Sequence, residues 1–93
     1  MNNELQISCF VKIVNQRGLH ARAAAKFVKL ADQFDCKVIV KKDDMSVLAT
    51  SIMGLLMLAA TLHSTIELQA TGSQAQEALN ALSHLVKSKF DEE

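Results

Sequence analysis

The stretch Arg17-Gly18-Leu19-His20-Ala21-Arg22-Ala23-Ala24 joins a strand-like segment to the first helical pattern of the chain. Gly18 can adopt the positive φ that a tight turn requires, and His20 stands where the helical periodicity begins. The first N–H groups of a helix lack intrahelical acceptors and carry a partial positive charge, so a helix start binds anions. An imidazole placed there, with the guanidinium of Arg22 two residues later, is suited to accept a phosphoryl group and to hold its charge.

Periodicity in the rest of the chain predicts seven elements in the order β-α-β-β-α-β-α. The predicted strands cover residues 7–14, 36–42, 46–49 and 65–71, and the predicted helices cover 20–33, 52–60 and a segment after Gly72. Each strand has one apolar face, and two of the helices have one apolar stripe. This pattern favours an antiparallel sheet with helices packed on one side and water on the other.

Local sequence also predicts how the third helix begins and how the chain ends. Ser73 and Gln76 have the spacing of a capping box, in which both side chains bond backbone N–H groups at the helix start. The acidic residues 91–93 are expected to form a frayed tail. The imidazole of His20 is expected to lie open to solvent beside Arg22.

Composition excludes several classes of protein. The 93 residues are enough for one domain, residues 1–93, and ten basic residues balance ten acidic ones, whereas dedicated nucleic-acid binders usually carry a basic excess. The longest apolar run, Ile52–Ala60, is far shorter than the ~20 residues of a membrane span, and residues 1–6 lack the features of a signal peptide. We expect a soluble, cytoplasmic protein that neither binds nucleic acid nor inserts into membranes.

Cysteine and histidine spacing gives no metal site. Cys9 and Cys36 each lie in an apolar, strand-like run and are expected to be buried, reduced thiols. The three histidines, His20, His63 and His84, are scattered along the chain and do not have metal-ligand spacing. We predict neither a metal nor a cofactor.

Two motifs resemble one known family. Residues 18–24, GLHARAA, look like the active-site motif of the histidine-containing phosphocarrier (HPr) family of the bacterial phosphotransferase system. Ser51-Ile52-Met53-Gly54 and the apolar stretch after it resemble that family's second signature, at the matching spacing of 31 residues from His20 to Ser51. The resemblance implies an α+β fold, an open-faced β-sandwich whose four-stranded antiparallel sheet has the order 1-4-2-3 and three helices on one face. A whole strand would then separate Cys9 from Cys36, so no disulfide is expected.

The resemblance also implies an activity. It implies that His20 accepts a phosphoryl group on Nδ1 from enzyme I, which draws it from phosphoenolpyruvate, and passes it to an enzyme IIA component. Arg22 matches the arginine beside the family's histidine, and the backbone N–H groups of Ala21 and Ala23 would help to stabilise the phosphoryl oxygens. Such a protein is a stoichiometric carrier and not an enzyme, and we expect a monomer.

Placement on the helices predicts a partner-docking surface. The basic residues Arg17, Lys26 and Lys29 would form a rim around His20. Exposed apolar residues of the second helix would form the centre of the surface, namely Ile52, Met53 and Leu56. An apolar patch with charged edges fits transient docking of acidic partners.

Departures from the family pattern leave alternatives open. Ala23 stands where most members have proline, and Thr50 replaces the basic residue that commonly precedes the serine. Ser51 matches the serine that an HPr kinase/phosphorylase modifies in some bacteria, but it is also a plausible N-cap without regulation. Two alternatives therefore remain: a regulatory HPr-like protein acting through protein contacts and Ser51 phosphorylation, and a small ligand-binding domain with a closed apolar pocket. The sugar and nitrogen branches of the system are not distinguished.

Overall fold

A computed structural model of the chain describes residues 5–92, whose four strands form one antiparallel sheet in the order β1-β4-β2-β3. The elements are β1 (Gln6–Lys12), α1 (Ala21–Ala31), β2 (Lys37–Lys42), β3 (Met45–Leu48), α2 (Ile52–Met57), β4 (Thr65–Thr71), α3 (Ala75–Lys87) and a short 3-10 turn (Lys89–Asp91). Element order, sheet order and fold class are as the sequence and the resemblance predict.

The sheet has one apolar and one solvent-exposed face because side chains alternate along each strand. β4 lies between β1 and β2, with Gln6 opposite Thr71 in one pair and Lys41 opposite Glu67 in the other. Among residues 5–92, the buried side chains of this face include Val11, Val38, Val40, Ile66, Leu68 and Ala70, and Ile13, directly after β1, is also fully buried. On the opposite face the Phe10 side chain is 69% exposed.

The helices cover the apolar face and end where local backbone conformation stops them. α3 packs on β1 and β4, and α1 packs against α2 and α3. Phe27 of α1 is fully buried at the centre of the core. α2 is shorter than predicted because Ala59 has a φ of 52°, a left-handed conformation that commonly terminates helices.

The start of α3 differs from the predicted capping box. The N-cap residue is Gln74, and its side chain makes no capping hydrogen bond. The Ser73 hydroxyl instead donates to the Asp35 carboxylate at 2.7 Å, and the Gln74 side-chain oxygen accepts from the Asp35 backbone N–H at 2.7 Å. A charged acceptor forms a stronger hydrogen bond than a backbone group, so these side chains connect α3 to the turn before β2.

The segment after α3 folds back onto the domain, so the prediction of a frayed acidic tail is wrong for residues 91 and 92. Phe90 is completely buried, and its carbonyl accepts a hydrogen bond from Lys26 Nζ at 2.9 Å. Residues 89, 90 and 91 have successive φ values of 59°, 55° and 61°, which turn the chain sharply toward α1. We call residues 89–92 the C-terminal strap. Residue 93 lies outside the described part of the chain.

Both cysteines are free and half-buried, which is less burial than the sequence predicts. Burial raises the pKa of the Cys36 thiol, and the nearby carboxylates of Asp35 and Glu77 raise it further. Across residues 5–92 no helix has both the length and the apolar character needed to cross a membrane, and no cluster of side chains has the composition of a metal site.

Candidate functional site

The loop before α1 is fixed by backbone contacts with the segment after α2. Gly18 has a φ of +65°, and its N–H donates to the Asn15 carbonyl at 3.2 Å. The next N–H, that of Leu19, donates to the Ala60 carbonyl at 2.9 Å. The Leu19 side chain is buried, so the loop delivers His20 to the start of α1 in a defined position.

Replacing Gly18 with alanine is expected to destabilise the domain by about 2 kcal/mol, since a left-handed backbone is unfavourable for L residues and overpacking adds strain. The new Cβ would lie 2.5 Å from the Ala60 oxygen. Urea denaturation measures the loss. The matched control is Gly54→Ala, whose Cβ would come no nearer than 3.0 Å to any neighbour. Equal stability of the two variants would contradict this account of the loop.

His20 occupies the N-cap position of α1, as predicted. Its backbone is extended, with φ −81° and ψ −179°, and its side chain makes no capping bond. Its carbonyl accepts the Ala24 N–H at 2.8 Å. The N–H groups of residues 21–23 precede the first intrahelical hydrogen bond, and no acidic residue lies in the first turn. The positive helix end is therefore not neutralised by its own first turn.

The imidazole is less exposed than predicted because the strap covers it. The His20 side chain is only 15% exposed, and its Nε2 contacts Oε2 of Glu92. The other carboxylate oxygen of Glu92 accepts a hydrogen bond from Asn15 Nδ2 at 3.1 Å, and the same amide donates to the Gly18 carbonyl at 2.8 Å. Among residues 5–92, Nδ1 of His20 has no hydrogen-bond partner.

Glu92 is ionised in this arrangement. Burial raises the pKa of its carboxyl, but the hydrogen bonds with His20 and Asn15 and the electrostatic attraction of the neighbouring His20 ring and Arg17 outweigh burial and lower the pKa below its usual value. Sequence reasoning missed both Glu92 and Asn15. Asn15 resembles any polar loop residue, and the 72 residues between His20 and Glu92 leave no local pattern that links them.

A basic groove lies beside this cluster. It has a volume of about 560 Å³ and is lined by residues from the loop, α1 and the strap, including Arg17, Arg22, Lys26 and Lys89. Two residues of the predicted basic rim, Arg17 and Lys26, therefore lie together at this groove. Lys29 lies in a separate depression with Leu30 and Gln33, and Lys26 uses its ammonium to hold the strap.

The exposed face of α2 is apolar. Ile52 is 41% exposed and Met53 is 69% exposed, as the docking prediction requires, whereas Leu56 is half-buried against the core. Met57, which the sequence pattern does not single out, is 63% exposed. A helix that is apolar all round does not indicate which side faces the core, and this explains why the sequence pattern does not identify Met57 as exposed.

Ser51 caps α2, as predicted. Its Oγ accepts the Gly54 N–H at 2.9 Å, which satisfies one of the free donors at the helix start. The hydroxyl is therefore structurally engaged, and its regulatory phosphorylation stays a prediction.

Fold and site together define a small α+β protein, an open-faced β-sandwich with a histidine at the start of its first helix. The chain belongs to the HPr family of phosphocarrier proteins of the phosphotransferase system, because the family model described as "PTS HPr component phosphorylation site" matches residues 7–88. It is 46% identical to the phosphocarrier protein HPr of Neisseria meningitidis over 82 residues, covering 88% of this chain and 92% of that one. It is also 42% identical to the phosphocarrier protein NPr of Escherichia coli over 84 residues, covering 89% and 93% of the two chains.

Solved structures agree with this assignment. An HPr from Thermoanaerobacter tengcongensis matches with a TM-score of 0.89 at 41% identity, covering 94% of this chain and 98% of that one. A dimer of HPr from the same organism matches with a TM-score of 0.75 at 43% identity, covering 88% and 94%. Since such neighbours include dimers, the predicted monomer does not follow from the family.

Proposed function

We propose that this protein accepts a phosphoryl group on Nδ1 of His20 from enzyme I and passes it to an enzyme IIA component. It acts as a stoichiometric carrier that turns over only with its partner enzymes. The observation that best supports the proposal is the position of His20, whose ring stands at the start of α1, where the first turn carries no acidic residue, with Nε2 engaged by Glu92. Nδ1 is the ring nitrogen left for the reaction.

The surroundings of His20 suit reversible phosphoryl transfer. The transition state is loose and spreads negative charge over the equatorial oxygens, so catalysis depends on positioning and on positive charge. In this proposal Arg22 and the backbone N–H groups of Ala21 and Ala23 stabilise those oxygens. A single guanidinium and a few amides bind the group only moderately, which allows it to leave for the next acceptor.

A labelling experiment tests the proposal. The chain is incubated with enzyme I and labelled phosphoenolpyruvate, and the modified residue is located by peptide mapping under neutral or alkaline conditions. We expect label on the peptide that contains His20, and we expect heating in acid to release it. An acid-stable label, or no label, would contradict the proposal.

A regulatory role is the second candidate. Ser51 corresponds to the family's regulatory serine, which an HPr kinase/phosphorylase would modify. In this alternative the protein acts only through its contacts with other proteins. That protein would keep its biological effect after His20→Ala, whereas a carrier would lose it. The capping bond of Ser51 gives no preference for this alternative.

The docking surface in this proposal combines charge with apolar contact. The basic residues Arg17, Arg22 and Lys26 around the groove would meet acidic groups of enzyme I and of the IIA component. Ile52, Met53 and Met57 on α2 would supply the apolar centre, with smaller contributions from the half-buried Leu56 and from Lys29 beyond the groove.

Met53→Glu tests this surface. A charged side chain at the centre of the contact is expected to raise the carrier concentration needed for half-maximal phosphorylation by enzyme I about tenfold, since central contacts are worth more than about 1 kcal/mol. Initial rates at varied carrier concentration measure the change. The matched control is Phe10→Glu, because Phe10 is also 69% exposed but lies on the opposite face of the sheet. A similar loss in both variants would exclude α2 as the docking centre.

A further inference from the structure

The carboxylate of Glu92 contacts the reactive ring, but the proposed transfer gives it no role. Its Oε2 contacts Nε2 of His20, and its Oε1 accepts from the side chain of Asn15 at 3.1 Å. Asn15 is only 1% exposed and also bonds the carbonyl of Gly18. Asn15 therefore links the loop before His20 to the carboxylate of Glu92.

The contact determines where the ring carries its hydrogen. An ionised carboxylate accepts hydrogen bonds and cannot donate them, so Nε2 must be the donor. In a neutral imidazole one nitrogen carries the hydrogen and the other carries the lone pair. A hydrogen on Nε2 therefore leaves the lone pair of His20 on Nδ1.

We propose that Glu92 is a positioning residue whose carboxylate holds the neutral ring of His20 in the tautomer with the hydrogen on Nε2, so that Nδ1 presents its lone pair to the phosphoryl group. This inference rests on the proposed function. In the transfer step the Nδ1 lone pair forms the bond to phosphorus, and the bond between phosphorus and the donor's leaving atom breaks with its electron pair staying on the donor. The Nε2 hydrogen remains between the ring and Glu92, and the carboxylate offsets the positive charge that the ring acquires.

The strap is built to hold Glu92 in place. Phe90 is completely buried two residues earlier, and its carbonyl is bound by Lys26 of α1. Glu92 therefore approaches His20 from a segment that is fixed by a core side chain and by a hydrogen bond to the same helix. A side chain at the end of a loose segment would lose more conformational entropy in making this contact.

A carboxylate near an incoming phosphoryl group would by itself oppose the transfer. The groove beside Glu92 counters this, because Arg17, Arg22, Lys26 and Lys89 line it together with the two acidic residues of the strap, Asp91 and Glu92. Four cations against two carboxylates keep the local charge positive. Glu92 can thus act on the ring while the groove still attracts a phosphoryl group.

The experiment compares Glu92→Gln with Asp91→Asn. Glutamine has nearly the volume of glutamate, but it is uncharged and has an NH₂ donor in place of one oxygen. It cannot reproduce both contacts of Glu92, in which one carboxylate oxygen faces His20 and the other faces Asn15. Asp91 lines the same groove, so Asp91→Asn removes one negative charge nearby without touching the ring contact. The readouts are the ¹⁵N and ¹H signals of the His20 ring in the free, isotope-labelled chain, and the single-turnover rate of phosphorylation by enzyme I.

We expect the wild-type neutral ring to be in the Nε2–H form, with an exchange-protected Nε2 proton. In Glu92→Gln we expect this protection to be lost, the Nδ1–H form to appear, and the transfer rate to fall about tenfold, as for removal of other groups that orient a reactive histidine. Asp91→Asn should keep the wild-type ring signals, and its transfer rate should not fall, because the groove only becomes more positive.

The two readouts separate the ways in which the proposal can fail. An unprotected or mixed-tautomer ring in the wild type, or wild-type ring signals in Glu92→Gln, would overturn the assignment of the hydrogen bond. Altered ring signals with an unchanged transfer rate would overturn the positioning role. A wild-type chain that enzyme I does not phosphorylate would instead overturn the proposed function, and the ring signals would still decide the hydrogen bond.

Discussion

His20→Ala is expected to reduce phosphorylation by enzyme I more than about a thousandfold, because the substitution removes the nucleophile and leaves no other group to form the bond. The fold should survive. The His20 side chain makes no capping bond to α1, and its partner Glu92 lies in a partly exposed segment. We expect a change of less than about 1 kcal/mol in the free energy of unfolding.

The measurement is phosphorylation at saturating enzyme I and phosphoenolpyruvate, with urea denaturation run in parallel. His84→Ala is the matched control, since His84 is exposed on α3 away from the start of α1, and it should be phosphorylated at the wild-type rate. Normal phosphorylation of His20→Ala would move the acceptor to another residue and end the proposal of a His20 carrier.

Phe90→Ala is expected to destabilise the domain by about 3 kcal/mol, near the lower end for removing a buried phenyl ring. Phe90 is completely buried, but it lies in the short strap, which can detach in part and so avoid leaving an empty cavity. Detachment would also withdraw Glu92 from His20, so the Nε2 proton signal should weaken together with stability.

Urea denaturation measures the stability change, and Phe10→Ala is the control. Phe10 is 69% exposed on the open face of the sheet, so its removal should change stability by less than about 1 kcal/mol. If Phe90→Ala were no more destabilising than Phe10→Ala, the strap would not be part of the folded domain.

The parts of the fold that local patterns encode could be predicted. Alternation in residues 7–13 and β-branching in residues 38–40 indicate strands, and the apolar stripe through Phe27 indicates the buried side of α1. The positions of Gly18 in a turn, His20 at a helix start and Ser51 at an N-cap could be predicted, because each position requires particular residue types. Sheet order came from the family resemblance, since alternation alone does not say which strands pair.

The parts that depend on distant contacts could not be predicted. Ser73 has a capping-box spacing, yet its hydroxyl is drawn to Asp35, 38 residues earlier. The strap has no helical or strand periodicity, and three successive non-glycine residues in the left-handed region run against local preference. They are stable because the burial of Phe90 and the Lys26 hydrogen bond outweigh the local cost, and neither contact is visible in the order of the amino acids.

The position of β4 has a consequence for biosynthesis. It is the last strand to leave the ribosome, yet both β1 and β2 need it as a neighbour. Until residues 65–71 have emerged, only the β2–β3 hairpin can form its native pairing. Until then β1 has no neighbouring strand to pair with, and its apolar side chains are uncovered. Completion of the sheet is therefore delayed until residues 65–71 have been translated, and a nascent chain stalled before residue 65 would offer chaperones an incomplete sheet.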